Sequence, residues 1–185
     1  NNKRDFMVKN PGGQHAICAG LKEEMSVTIK GHVGYYCGGM NQKSHITIEG
    51  NAGTGLGENM MSGIIHVKGN VSQSAGATAH GGTIIIDGNA SSRCGISMKG
   101  VEIIVKGSVG HMSGFMAQAG TLLICGDAGE ALGDSIYETI IYIAGKPKSL
   151  GVDCVEKKIN KNDLKKIENL LKTAKITKLK PSSFK

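Results

Sequence analysis

Branched aliphatic residues recur along this chain in pairs separated by one residue, and the pairs themselves return every 19 residues. Val27/Ile29, Ile46/Ile48, Ile65/Val67, Ile84/Ile86, Ile103/Val105, Leu122/Ile124 and Ile141/Ile143 hold the same two places in seven successive units. Alternation with a period of two predicts a β-strand with one buried face. The residues between the pairs are Thr28, Thr47, His66, Ile85, Ile104, Leu123 and Tyr142, so the outer face turns from polar to apolar along the series. Ile85, Ile104 and Leu123 therefore predict an outer patch against which something packs, and we read it as a candidate partner surface.

Each unit opens on a glycine, from Gly12 and Gly31 through Gly50, Gly69, Gly88 and Gly107 to Gly126. With that glycine as position zero, two further columns are small or apolar: position two (Val33, Ala52, Val71, Ala90, Val109, Ala128) and position six (Cys18, Cys37, Leu56, Ala75, Cys94, Ser113, Leu132). Position seven is glycine in six units, Gly38, Gly57, Gly76, Gly95, Gly114 and Gly133. Together with Gly53 and Gly55 these read as corners, where a side chain would clash or φ must be positive. Asn51, Asn70 and Asn89 follow opening glycines and predict a second, left-handed corner.

A unit with one strong strand, two short apolar columns and glycine corners cannot bury its own inner face, whereas identical units stacked in register bury it continuously. The predicted fold is all-β: a right-handed, single-stranded parallel β-helix of about seven 19-residue coils, roughly 34 Å long at about 4.8 Å per coil. Leucine-rich repeats share this period but need a leucine pattern that is absent here. Residues 1–11, with Phe6-Met7-Val8, supply a short strand or an apolar lid as an N-terminal cap; the β-helix spans 12–152; residues 153–185 form a lysine-rich helix and an extended arm. Asn160 to Asp163 offer N-cap residues for that helix, in which Leu164, Ile167, Leu170, Leu171 and Ala174 share a face.

Composition sharpens this picture at three points. The net charge of +7 belongs to the tail: residues 146–185 hold 12 Lys and Arg against 4 acids, and residues 1–145 hold 10 against 11. A neutral body with a basic tail points to a solvated or protein-docking extension and away from nucleic acid. Five cysteines in no metal-binding spacing fit a reduced, cytoplasmic protein, and the absence of a long apolar run or apolar leader points away from a membrane. Cys18 and Cys37 fall on adjacent coils close enough for a disulfide, but buried free thiols filling a small column are the expectation.

Candidate chemistry is sparse. Gly53-Thr54-Gly55-Leu56-Gly57 imitates a phosphate cradle, but a dinucleotide site needs a helix after the turn and no helix fits between these strands. The six histidines fall at six different positions of the repeat, so no column stacks two of them as a metal pair; His111 and Glu130 share a column and could pair. No nucleophile has a histidine and carboxylate in register, so the expectation is no catalytic residue, no bound cofactor and no metal. Met40, Met60, Met61, Met98 and Met116 are either filler for an irregular core edge or a soft partner surface. Glu58, Asn59, Met60 and Met61, a polar pair and two methionines at a glycine corner, form the least bland segment and the second candidate partner surface.

The segments Gly53 to Gly63, Gly95-Ile96-Ser97-Met98-Lys99-Gly100, Gly114-Phe115-Met116 and Cys125 to Gly133 resemble the G-x-G-x-G domain of glutamate synthase over about residues 12–155. The resemblance is to the free-standing form of that domain, with relatives in N-methylglutamate synthases and in the solenoid subunit of formylmethanofuran dehydrogenase. It implies a non-catalytic scaffold subunit of an oxidoreductase in glutamate biosynthesis and nitrogen metabolism. The implied partners are a glutamine amidotransferase subunit and a synthase subunit with FMN and an iron-sulfur (Fe-S) cluster, with self-association for the chain alone. The alternatives are the formylmethanofuran dehydrogenase subunit and an independent solenoid binding module.

Overall fold

The computed structural model describes residues 4–185. The aliphatic pairs become the strands β2 (Ser26–Lys30), β3 (His45–Ile48), β4 (Ile64–Val67), β5 (Thr83–Ile86), β6 (Lys99–Val105), β7 (Ala119–Ile124) and β8 (Ile140–Ile143). They follow β1 (Asp5–Lys9), and each strand pairs in parallel with the next in sequence, giving one eight-stranded sheet in chain order. Partners from β2 onward are one repeat apart, as in Val27 with Ile46 and Ile84 with Ile103, except at the start of β6, where a register shift pairs Lys99 with Ala119. Every step therefore returns the chain to the same face one coil higher, which is a parallel β-solenoid. The position-two column forms a second ladder of parallel bridges, Val33–Ala52–Val71–Ala90–Val109–Ala128–Pro147. The core lies between this ladder and the sheet, and Ile46, Ile65, Ile84, Ile103 and Leu122 are fully buried in it.

Of the two readings open for the N-terminal segment, strand is the one found: β1 is the first rung, set Asp5 to Ser26, two residues wider than the repeat. Residues 1–3 of the expected cap lie outside the described residues. Phe6 pairs with Val27 in the inward column yet remains 45% exposed, since among the described residues no coil lies beyond it.

The turn after the second ladder carries the repeat's conformational signature. Positions five, seven and nine are all left-handed: Tyr36, Gly38 and Met40 in one coil (φ 59°, 66° and 56°), Ser74, Gly76 and Thr78 in another (59°, 67° and 54°). The alternation points successive amides in opposite directions. Ser74 and Thr78 donate forward to Ser92 and Ile96 carbonyls, while Gly76 donates back to Leu56. From the second coil on, only position seven of the three is always glycine, because there the side chain would point inward: a Cβ on Gly76 would lie 2.6 Å from Ile103 Cδ1 and one on Gly57 2.9 Å from Ile84 Cδ1. Positions five and nine tolerate side chains at about 1–2 kcal/mol of backbone cost each.

Asn51, Asn70 and Asn89 do not form the expected left-handed corner; none has a positive φ. Their side chains instead bridge coils. Oδ1 of Asn51 accepts from the Asn70 amide, Asn70 from Asn89 and Asn89 from Ser108, each at 2.8 Å. Ser108 Oγ and Asp127 Oδ1 extend the ladder to Asp127 and Lys146, and His32 Nδ1 begins it on Asn51. A short polar side chain at this place satisfies an amide that stacking alone leaves without a partner.

The solenoid's far end closes irregularly. Leu150 bridges Leu132, and Cys154 Sγ fills the space over Gly133. The chain then enters α1 (Lys161–Thr173), whose N-cap Asn160 forms a reciprocal capping box with Asp163. Ile167, Leu170, Leu171 and Ala174 form its buried face, and Leu164 stands at the edge. After a 3-10 turn at Pro181–Ser183, Lys185 exchanges both backbone hydrogen bonds with Ile143, closing part of the free edge of β8.

Candidate partner interface

The outer patch read as a partner surface is occupied from within. Ile85, Ile104 and Leu123 are buried beneath α1 and form a second apolar cluster with Tyr142, Ile167, Leu170, Leu171, Ala174 and Phe184. Tyr142 Oη donates to Asp163 Oδ1 at 2.8 Å, and burial together with that carboxylate pushes the phenol pKa upward. Lys166 pairs with Glu102 on β6. The patch is thus corrected from a docking surface for another chain to the seat of the chain's own helix. Apolar periodicity marks a surface that must be covered, and it is silent on what covers it.

The segment Glu58 to Met61 divides. Met60 points inward and is fully buried, so it too leaves the candidate surface, while Asn59 and Met61 are exposed and Glu58 is half-buried. The five methionines split between both readings: Met60 and Met98 fill the core, and Met40, Met61 and Met116 are exposed.

Gly53 and Gly55 owe their identity to what lies above them. Gly53 has no positive φ, and the corner reading is replaced by close approach: a Cβ there would lie 2.7 Å from the Gly34 carbonyl carbon and 2.9 Å from Tyr35 Cδ1. At Gly55 (φ 74°) a Cβ would lie 2.6 and 2.7 Å from Tyr36 Cδ1 and Cε1, and 3.1 Å from Glu58 Oε2. The two outer glycines of this coil are therefore a floor for two tyrosine rings. Tyr35 and Tyr36 are each 50% exposed, with ring centroids 6.4 Å apart at 79°. His15 stacks on Tyr35 at 4.5 Å, and its Nδ1 accepts from the Tyr35 amide at 2.8 Å. Sequence pattern alone does not single out these tyrosines. The available signal is their position one full repeat before Thr54-Gly55, where every other coil carries small or polar residues at one or both places.

Elsewhere the polar residues are engaged in structure. Asp87 holds His66 at 2.9 Å and Lys106 at 2.7 Å; burial opposes its ionisation, but these two partners prevail and lower its pKa. His45 is exposed at the start of β3, but partial desolvation of its ring and the nearby His66 lower its pKa. All five cysteines are free, and burial raises the Cys37 and Cys94 thiols to about 12, which makes them core filler with no nucleophilic character at neutral pH. Among the described residues no group of His, Cys, Asp and Glu is arranged to hold a metal, and no ion pair joins His111 to Glu130. No helix among them is long and apolar enough to cross a membrane. A cavity of about 380 Å³ lies at the far end between β8 and residues 153–159, with Thr139 Oγ1 buried and unpartnered on its wall.

The chain is 54% identical to Protein GlxC of Rhizobium meliloti (strain 1021) over 185 residues, which is all of this chain and 81% of that protein. No solved structure matches it. The GXGXG motif family matches residues 8–182, taking in the solenoid and the helix that covers it, and the chain belongs to that family.

Proposed function

We propose that the chain is a non-catalytic structural subunit of a glutamate-synthase-like complex in the cytoplasm. On this reading it packs beside a glutamine amidotransferase chain and a synthase chain that holds FMN and an iron-sulfur cluster. It helps hold the two so that ammonia released by one reaches an oxo-acid acceptor on the other. The observation that carries the reading is that the family's defining glycines are spent on architecture. They line corners and ring floors of a continuous solenoid, and none stands at the start of a helix where it could cradle a phosphate. A stiff rod with regularly spaced outer positions suits a part that sets distances between other parts.

Tagged chain isolated from its native source, with the genes that flank its own intact, tests this. An amidotransferase and a flavoprotein should co-purify in fixed ratio, and glutamine-dependent synthesis should require the chain. Isolation with neither protein would remove the proposal.

A further inference from the structure

Tyr36 combines three features that packing does not require. It is a bulky residue at φ 59°, it is half exposed, and the next coil gives up a side chain at Gly55 to make room for its ring. The equivalent left-handed places in later coils hold Ser74, Arg93, Met112 and Ala131, so the fold sets no aromatic ring there and, at Ser74 and Ala131, needs no large side chain at all. An ordered aromatic ring kept on a strained backbone, over a cleared floor and facing water, calls for a function. Tyr35 repeats the arrangement over Gly53, held by the His15 ring.

The charge beside these rings specifies what they receive. Glu58 Oε2 and the Tyr36 ring converge on the same point above Gly55, and the Glu58 carboxylate makes no ion pair or side-chain hydrogen bond among the described residues. Met40, whose amide donates to the Glu58 carbonyl at 2.8 Å, and Met61 add exposed, deformable apolar surface at the border. Two aromatic rings at a steep angle, an unpaired carboxylate and a methionine rim match a guanidinium or ammonium on an apolar stem. We propose that Tyr35, Tyr36 and Glu58 form the seat for a cationic side chain, an arginine above all, presented by a protein partner. In naming that partner as another chain of the complex, the proposal rests on the function proposed above.

Two measurements decide it. In the first, chain with 13C-labelled tyrosine rings is titrated with N-acetyl-arginine amide and with the neutral citrulline counterpart at constant ionic strength. The Tyr35 and Tyr36 resonances should move with the arginine probe alone, with Tyr137 still, and Glu58→Gln should reduce the response severalfold. Equal movement with citrulline, or equal movement of Tyr137, overturns the proposal. In the second, the chain is co-expressed with the amidotransferase and the flavoprotein that the function proposed above expects to co-purify with it. Glu58→Arg and Tyr36→Gly should each weaken assembly about tenfold, while the melting temperature of Tyr36→Gly stays level or rises because glycine suits φ 59°. Unaltered assembly in both variants sinks the seat and leaves the proposed function standing. If the wild-type chain binds neither protein, the proposed function falls and the arginine-citrulline comparison still decides the seat. Dimerisation of the isolated chain that Tyr36→Gly abolishes would identify a second copy as the occupant and also overturn it.

Discussion

At the scale of single residues, the repeat sorts its left-handed positions by what a side chain would meet. Gly95 (φ 73°) sits at position seven, where a Cβ would press on Met98 Sδ at 3.1 Å and Ile103 Cδ1 at 3.4 Å; Arg93 (φ 57°) sits two residues earlier and faces outward. Gly95→Ala should therefore destabilise by about 2–3 kcal/mol, whereas Arg93→Gly should be neutral or stabilising by up to about 1 kcal/mol. Urea unfolding of both variants checks the opposite signs. Removal of one rung of the amide ladder, Asn70→Ala, should cost about 1 kcal/mol in the same assay. Asp87 contributes to the acid limb of stability. Its folded pKa lies below the ordinary carboxylate value of 3.8, so its contribution is complete above that pH and is lost as pH falls through the folded value. His45 acts on a neighbouring window: with a folded pKa below 6.5, it lets the unfolded chain take up protons first, so stability declines as pH falls through 6.5 and levels off below the folded value. Asp87→Asn should flatten the lower of these slopes, and His45→Gln the upper, in melting temperatures measured from about pH 7 to about pH 3.

At the scale of elements, α1 is the piece whose role depends on tertiary contact. Its mainly polar outer side and capping box make it a helix, but a 13-residue helix is marginal alone and needs the apolar outer face of β5 to β8. The outer face needs it equally, since Ile85, Ile104, Leu123 and Tyr142 form a continuous apolar strip on neighbouring strands. Leu170→Asp should release the helix, lower the melting temperature by several degrees, and raise binding of a hydrophobic dye while the far-ultraviolet strand signal persists. Asn160→Ala, which removes the cap and half of the capping box, should cost about 1 kcal/mol and produce a milder form of the same change. Unchanged dye binding in Leu170→Asp would mean that the strip is not an obligate seat.

At the scale of the whole molecule, each coil contacts chiefly its two neighbours, so stability should be graded along the axis. The middle coils carry strands whose inner residues are wholly buried, while β1 leaves Phe6 half exposed and, among the described residues, has no neighbouring coil on its outer edge. Hydrogen exchange should accordingly be slowest in β4 to β7 and fastest in β1, with β8 intermediate because Lys185 closes only part of its edge. Much of this is already legible in the sequence. A strict 19-residue period of paired aliphatics forces equivalent residues into one column, and the buried face, the strand positions, the register and the coil count follow from steric necessity. What the period cannot express is any relation between residues that do not share a place in it. The asparagines suggest left-handed corners because their type allows that geometry, but the amide of the next coil makes them acceptors. Ile85, Ile104 and Leu123 look available because nothing in their own columns covers them; α1, distant in sequence, packs there because both surfaces lose water by doing so. Met60 turns inward for the same reason, and Tyr36 acquires its seat only when Gly55 of the next coil comes beneath it. The sequence by itself determined the rod; which of its outer surfaces remain free for another protein was decided by three-dimensional contact, since exposure is a property of neighbours and not of residue type.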